Sequence, residues 1–150
     1  VDKNGKVLIK KQGIENSVTF ERKELEQLKG NMMTHNHPSG GPFSRADLRG
    51  FNMNQLNEMR ASGKNGTYYL RRKEDGSSKV IDDKKMCAII TRVFNSQIYN
   101  VGQHRFDIIK PLDDYTAAVL VHHNTCKTIA KKLNLEYGLE EVENGSSKVK

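Results

Sequence analysis

"MMTHNHPSGGPFSRADL", residues 32–48, is the stretch on which the reading of the whole chain turns. It starts apolar, places two histidines one residue apart, reverses through Pro-Ser-Gly-Gly and resumes with Ser-x-x-Asp. On a strand, positions i and i+2 face the same side. His35 and His37 therefore aim both imidazoles into one space, on a strand stopped by Pro38. Ser44-x-x-Asp47 has the form of a capping box opening a helix, with Asp in place of the commoner Glu.

Two neutral imidazoles so placed suit a first-row metal, zinc being the commonest. Zinc requires a third protein ligand, which Asp47 can supply from the first helical turn. Gly40 and Gly41 permit the tight reversal between them. Ser44 is expected between metal and helix, its hydroxyl free to donate to a substrate oxygen. The plainer reading is a chance histidine pair beside an ordinary capped helix. Paired histidines, glycine turn and Ser-x-x-Asp in succession favour the metal.

Upstream, Lys6–Lys10 ("KVLIK") reads as a strand after the turn Asp2–Gly5, and Ser17–Phe20 as a second. Thr19 is expected to cap a short helix, Phe20–Leu28, with Glu21 and Glu24 near its positive end and Gly30 just past its close. "NMMTHNH" reads as a central strand. The helix opened by Ser44 is expected to last to about Arg60, with Leu48, Phe51, Leu56 and Met59 on one stripe. Ser62-Gly63 then ends it, and "GTYYLRR" is a strand. In the next helix Met86, Ile89, Ile90, Val93, Phe94 and Ile98 keep the helical period. Pro111 and Asp113 mark the start of the last, with Ala118, Val119, Ile129, Ala130 and Leu133 as its buried face. Strands and helices intermingled, then helices alone, predict an α/β (α+β) protein. Residues 1–82 would be the metal-binding core, 83–138 a helical C-terminal extension packed on it, and 139–150 a flexible tail.

The chain has 150 residues, the size of one domain able to bury a core. With 35% hydrophobic and 29% charged residues, that core is modest. No apolar run is long enough to span a membrane, and no signal peptide is visible. Because the chain starts at Val1 rather than Met, it reads as a piece of something longer. Cys87 and Cys126 fit no disulfide framework or zinc knuckle and read as reduced thiols of a cytoplasmic protein. The net charge of +7 favours an acidic partner such as nucleic acid. The basic residues are dispersed, however, so at most weak nucleic-acid contact is expected.

His122 and Cys126, at i and i+4 in the last helix, have a spacing that can bind metal, but read better as a buried histidine and thiol. His123 projects to a more polar face, and His104 has no visible partner. Of Tyr68 and Tyr69, adjacent on a strand, one is expected in the core.

"HNHPSGGPFSRAD" resembles the signature of the JAMM/MPN+ metalloproteases, His-x-His-Pro followed by Ser-x-x-Asp. The wording is nearest to the RadC-like branch and to similar domains of phage minor head and other mobile-element proteins. The likeness covers roughly residues 1–72 and is specific in the 35–47 block. It implies Zn²⁺ bound by His35, His37 and Asp47, with Ser44 stabilising a tetrahedral oxyanion. The implied fold is a mixed, curved sheet flanked by helices, of cytidine-deaminase-like JAMM architecture. Two departures stand out. Six residues separate His37 from Ser44, where the usual pattern has seven. The family's general-base glutamate belongs to a strand whose place would fall before Val1. Glu15 is the nearest upstream carboxylate, but it does not match the motif position.

The expected function is therefore zinc-dependent hydrolysis of an amide or isopeptide bond in a protein or peptide, within a larger phage or mobile-element protein. The alternatives are a basic nucleic-acid-binding or nuclease module, or an inactive structural domain of a phage head-associated protein. Oligomeric state is not legible.

Overall fold

The computed structural model describes residues 1–14, 18–104 and 112–141, the side chain of His104 excepted. In chain order the elements are α1 (Arg22–Leu28), β1 (Met32–Asn36), α2 (Arg45–Met53), β2 (Glu58–Gly63), β3 (Gly66–Arg72), α3 (Asp83–His104), α4 (Asp114–Leu133) and β4 (Leu135–Glu140). The strands form one sheet in the order β1-β2-β3-β4. β1 runs parallel to β2, and the remaining neighbours are antiparallel. The architecture is α+β with a mixed sheet.

The sheet is amphipathic. Met59, Ala61, Tyr68 and Leu70 alternate to its inner face, where they join Leu48 and Phe51 of α2, Met86 and Ile90 of α3, and Ile129 and Leu133 of α4 in one core cluster. The outer face carries ion pairs instead: Arg60 with Glu58 and Glu140, and Arg71 with Glu136. Tyr68 is the buried member of the tyrosine pair, while Tyr69 lies under the Arg71 guanidinium, 4.8 Å from its ring centre.

Several expectations are corrected. β1 is an edge strand, not a central one. Its outer edge is met at its start, where Val1 and Met32 exchange two backbone hydrogen bonds of 2.7 and 2.8 Å. The chain then turns away through Asp2–Lys6, so Lys6–Lys10 forms no strand and leaves Val7 60% exposed. Val18–Phe20 is likewise outside any strand, and Ser17 lies outside the described residues. α1 begins at Arg22 after Glu21, not after Thr19, because the Glu24 carboxylate accepts the Glu21 N–H at 2.6 Å and closes the first turn there.

α2 stops at Met53 instead of near Arg60. Asn54 and Gln55 break it, Gln55 adopting a left-handed φ of 50°. The buried Asn52 side chain meanwhile clamps the Ile81 backbone, 2.7 Å to its carbonyl and 3.3 Å from its N–H. Leu56 and Met59 are buried as expected, but from the turn and β2. In α4 the buried face is rotated: Ala117, Val121 and Thr125 are buried with Ile129, Ala130 and Leu133, whereas Ala118 is exposed and Val119 half-buried. Asp113 is the N-cap of α4, its carboxylate accepting the Thr116 N–H at 2.7 Å; Pro111 lies outside the described residues.

The largest correction concerns the C-terminal region. Residues 83–138 are not helices alone, because the chain returns to the sheet as β4, pairing Leu135–Glu140 with Thr67–Arg72 of β3. Residues 139 and 140 therefore belong to a strand, and residues 142–150 lie outside the described chain. α3 and α4 are inserted between two paired strands and share the core of the sheet.

Candidate metal centre

β1 delivers His35, and the ladder continues one step further, His37 N–H donating to the Ser62 carbonyl at 2.7 Å. The turn after His37 then returns the chain to Ser44, the N-cap of α2, whose hydroxyl accepts the Asp47 N–H at 3.1 Å. The helix cap and the candidate metal triad thus share Asp47, and the two readings are compatible. His35 Nε2 lies 2.9 Å from His37 Nε2 and 3.3 Å from Asp47 Oδ1; His37 Nε2 lies 3.4 Å from Asp47 Oδ2. Zinc bonds of about 2.0–2.1 Å at tetrahedral angles require ligand atoms about 3.3–3.4 Å apart. The three separations are near that spacing, with Asp47 meeting each ring through a different oxygen and the two rings closer together because they are in hydrogen-bond contact. Among the described residues this is the group of histidine, cysteine and acidic side chains able to hold a metal ion.

The donor chemistry fits as well. His37 Nδ1 is 2.9 Å from the Gly41 carbonyl oxygen, which can only accept, so Nδ1 carries the proton. In the neutral ring Nε2 then presents a lone pair to the triad, as metal ligation requires. Asp47 is oriented by Ser44, whose backbone N–H and hydroxyl both donate to Oδ2. His35 Nδ1 is buried and has no hydrogen-bond partner among the described residues. Burial pushes the Asp47 carboxyl up, but hydrogen bonds from His35 and His37 outweigh it and hold the group well below the usual carboxylate range. The His37 imidazole is raised, first by its hydrogen bond to Asp47 and against the opposing effect of burial.

The Ser44 hydroxyl is not free, as its sequence position suggested: in this conformation its proton goes to Asp47. Glu15 lies outside the described residues. Glu21 and Glu24 belong to the cap of α1. His123 is turned away to the Tyr137 hydroxyl, 2.9 Å from its Nδ1.

Residues not anticipated complete the centre. Phe43 is fully buried, with ring centres 6.3 and 6.4 Å from His35 and His37. Its signal was present: it precedes the N-cap and Leu48 stands at the fourth helical position, the pattern of a hydrophobic staple. From α4, Cys126 Sγ contacts the Phe43 carbonyl at 3.5 Å, its thiol pushed up to about 12 by burial. One helical turn earlier, His122 is lowered by burial and by the Arg45 cation, and also senses Asp47 and His37. Tyr115 donates to the Ser39 carbonyl at 2.5 Å, so the N-terminal turn of α4 ties down the glycine turn. Gly63 lets β2 pass close beneath that turn, since a Cβ there would stand 2.6 Å from the His37 carbonyl oxygen and 2.8 Å from Gly40 Cα.

Comparison with family models, with curated proteins and with solved structures finds no match to this chain. The site therefore rests on its own geometry.

Proposed function

We propose that this protein is a zinc-dependent hydrolase domain of JAMM type, acting on an amide or isopeptide bond of a protein or peptide. The observation that carries the reading is the convergence of His35 Nε2, His37 Nε2 and the Asp47 carboxylate on one space, one ligand atom of each lying within 4.8 Å of the others. A mixed sheet whose first strand and following helix α2 bring the three side chains together is the coarse arrangement that this reading requires. The three ligand side chains keep 17–22% of their surface exposed, so a substrate can reach them. Structural zinc sites are closed by a fourth protein ligand, and catalytic sites keep a position open.

Bound here, zinc would supply an acidified water and polarise the scissile carbonyl. The residues do the remainder. Gly41 holds the His37 tautomer, and Ser44 holds the Asp47 carboxylate. With zinc held by Asp47 and the two histidines, the Ser44 hydroxyl would be a candidate donor to a developing oxyanion, a contribution of about 2.7–4 kcal/mol for a well-placed donor. The basic nucleic-acid reading has less support, because Arg49, Arg60 and Arg71 are already engaged by Asp83, Glu58, Glu140 and Glu136.

The test is zinc stoichiometry by metal analysis together with hydrolysis of isopeptide-linked and linear peptides. One zinc per chain and zinc-dependent cleavage, both lost in His35→Ala/His37→Ala, are expected. Equal zinc in wild type and double variant would overturn the reading.

A further inference from the structure

Arg45 lies between Ser44 and the ligand Asp47 in sequence, and its charge is not taken up by a carboxylate among the described residues. Several other arginines near the sheet are engaged, whereas Arg92, on the same α3 helix as Phe94, is exposed and in no ion pair among the described residues. Arg49 is paired with Asp83, Arg60 with Glu58 and Glu140, and Arg71 with Glu136. Arg72 donates to the carbonyls of Leu56 and Lys79. Arg45 is exposed, and its guanidinium carbon sits 4.3 Å from the centre of the Phe94 ring on α3. Phe94 packs in turn against His122 of α4, ring centre to ring centre 5.3 Å. Stacking restrains the planar fork while leaving its N–H donors unoccupied. Three helices thus hold one unspent cation in the same first turn of α2 that carries Asp47.

We propose that Arg45 is a carboxylate-recognition residue, selecting substrates that carry a carboxylate near the amide presented to His35, His37 and Asp47. The proposal rests on the metal-hydrolase reading above. A carboxylate suits the position, because its two coplanar oxygens match the parallel N–H pair of a guanidinium and its one negative charge matches the single Arg45 cation.

Zinc-loaded protein is titrated calorimetrically with three succinyl-hydroxamate peptides, in which the hydroxamate engages the metal. One ends in glycinamide and is neutral. One ends in aspartyl amide, a side-chain carboxylate, and one in glycine with a free terminal carboxylate. At least one charged probe is expected to bind about tenfold tighter than the neutral one, the scale of a charge-assisted hydrogen-bond pair. Whichever it is identifies the source of the carboxylate. Arg45→Gln should erase that preference while leaving zinc content and neutral-probe affinity in place, and Arg45→Lys should restore only part of it. Equal affinity for all three probes, or a preference that survives in Arg45→Gln, overturns the subsite alone. Failure of the neutral probe to bind zinc-loaded protein overturns the hydrolase reading and the subsite with it.

Discussion

Ser44 gives its backbone N–H and its hydroxyl to the same oxygen of Asp47, at 2.8 and 2.7 Å. Asp47 returns its own N–H to the Ser44 hydroxyl at 3.1 Å, so cap and ligand orientation are one unit. Ser44→Ala should therefore cost about 1 kcal/mol of stability through the lost cap. It should also weaken zinc binding by about 10–100-fold, the usual effect of removing an outer-shell partner. Denaturant unfolding in chelator and zinc competition titrations separate the two. Unchanged zinc affinity in the variant would reduce Ser44 to a cap.

The Gly41 carbonyl fixes the His37 tautomer at 2.9 Å, whereas His35 Nδ1 has no such partner. Both rings belong to the group that could hold a metal ion, but they are not equivalently supported. His37→Ala should abolish stoichiometric zinc, and His35→Ala should weaken it by orders of magnitude. Competition with a chromophoric chelator measures both. Retention of full affinity by either variant would remove that histidine from the ligand set.

The pH dependence should have opposite signs for stability and for metal binding. His37 is raised in the folded chain, so its stabilising contribution is complete below the ordinary imidazole value of about 6.5 and is lost as pH rises through the raised value. Asp47 is depressed, so its contribution is complete above the ordinary carboxylate value of about 3.9 and is lost as pH falls through the depressed one. The metal-free protein should be most stable between these limits. Zinc requires unprotonated imidazoles, so its affinity should climb where metal-free stability falls. Urea midpoints in chelator and zinc titrations at about pH 5 and about pH 8 compare the slopes. Parallel slopes would contradict the shared site.

Local patterns made the centre legible, because strand parity and capping chemistry act over a few residues. His35, His37, Ser44 and Asp47 converge as their spacing implied, although Ser44 donates to the ligand. β3 was readable to the residue from its β-branched and aromatic content. The boundary of α2 was not, since Leu56 and Met59 continue a helical stripe while the break depends on a left-handed Gln55 and on Asn52 reaching Ile81. β4 was missed although Leu135, Tyr137 and Leu139 alternate, because only its pairing with β3 separates that strand from the end of α4. The contribution of α4 was likewise invisible. Nothing local says that His122 and Cys126 lie over a peptide some eighty residues earlier.

Gly63→Ala tests how tightly β2 supports the turn. The added Cβ would meet backbone atoms of His37 and Gly40 at 2.6 and 2.8 Å, distances that only a backbone shift relieves. Zinc affinity should fall at least tenfold, with a loss of stability of about 1–3 kcal/mol as for other overpacked positions. Gly102→Ala, where a Cβ meets nothing, is the control. A variant that binds zinc normally would show that the turn adapts independently of the strand.

The proton-transfer group decides whether residues 1–150 are active alone. Amide cleavage needs a base to move a proton from water to the leaving nitrogen, typically worth about 10²–10⁴-fold. Among the described residues no carboxylate other than Asp47 joins the two histidines in the metal-binding group. The edge of β1 indicates where one could stand. Val1 and Met32 exchange both backbone bonds, the pattern of an antiparallel pair. A strand continuing that ladder before Val1 would pass His35 on the third added residue, with its side chain on the face of the triad. Residues 1–150 loaded with zinc are therefore expected to cleave isopeptide and linear substrates slowly. Adding such a strand with glutamate at that third position should raise the rate by about 10²–10⁴-fold, and glutamine there should not, with zinc content equal in both. Full activity in the unextended chain would mean that the base is already present. His122, the half-buried imidazole beside the triad, and Glu15 would then be the residues to substitute.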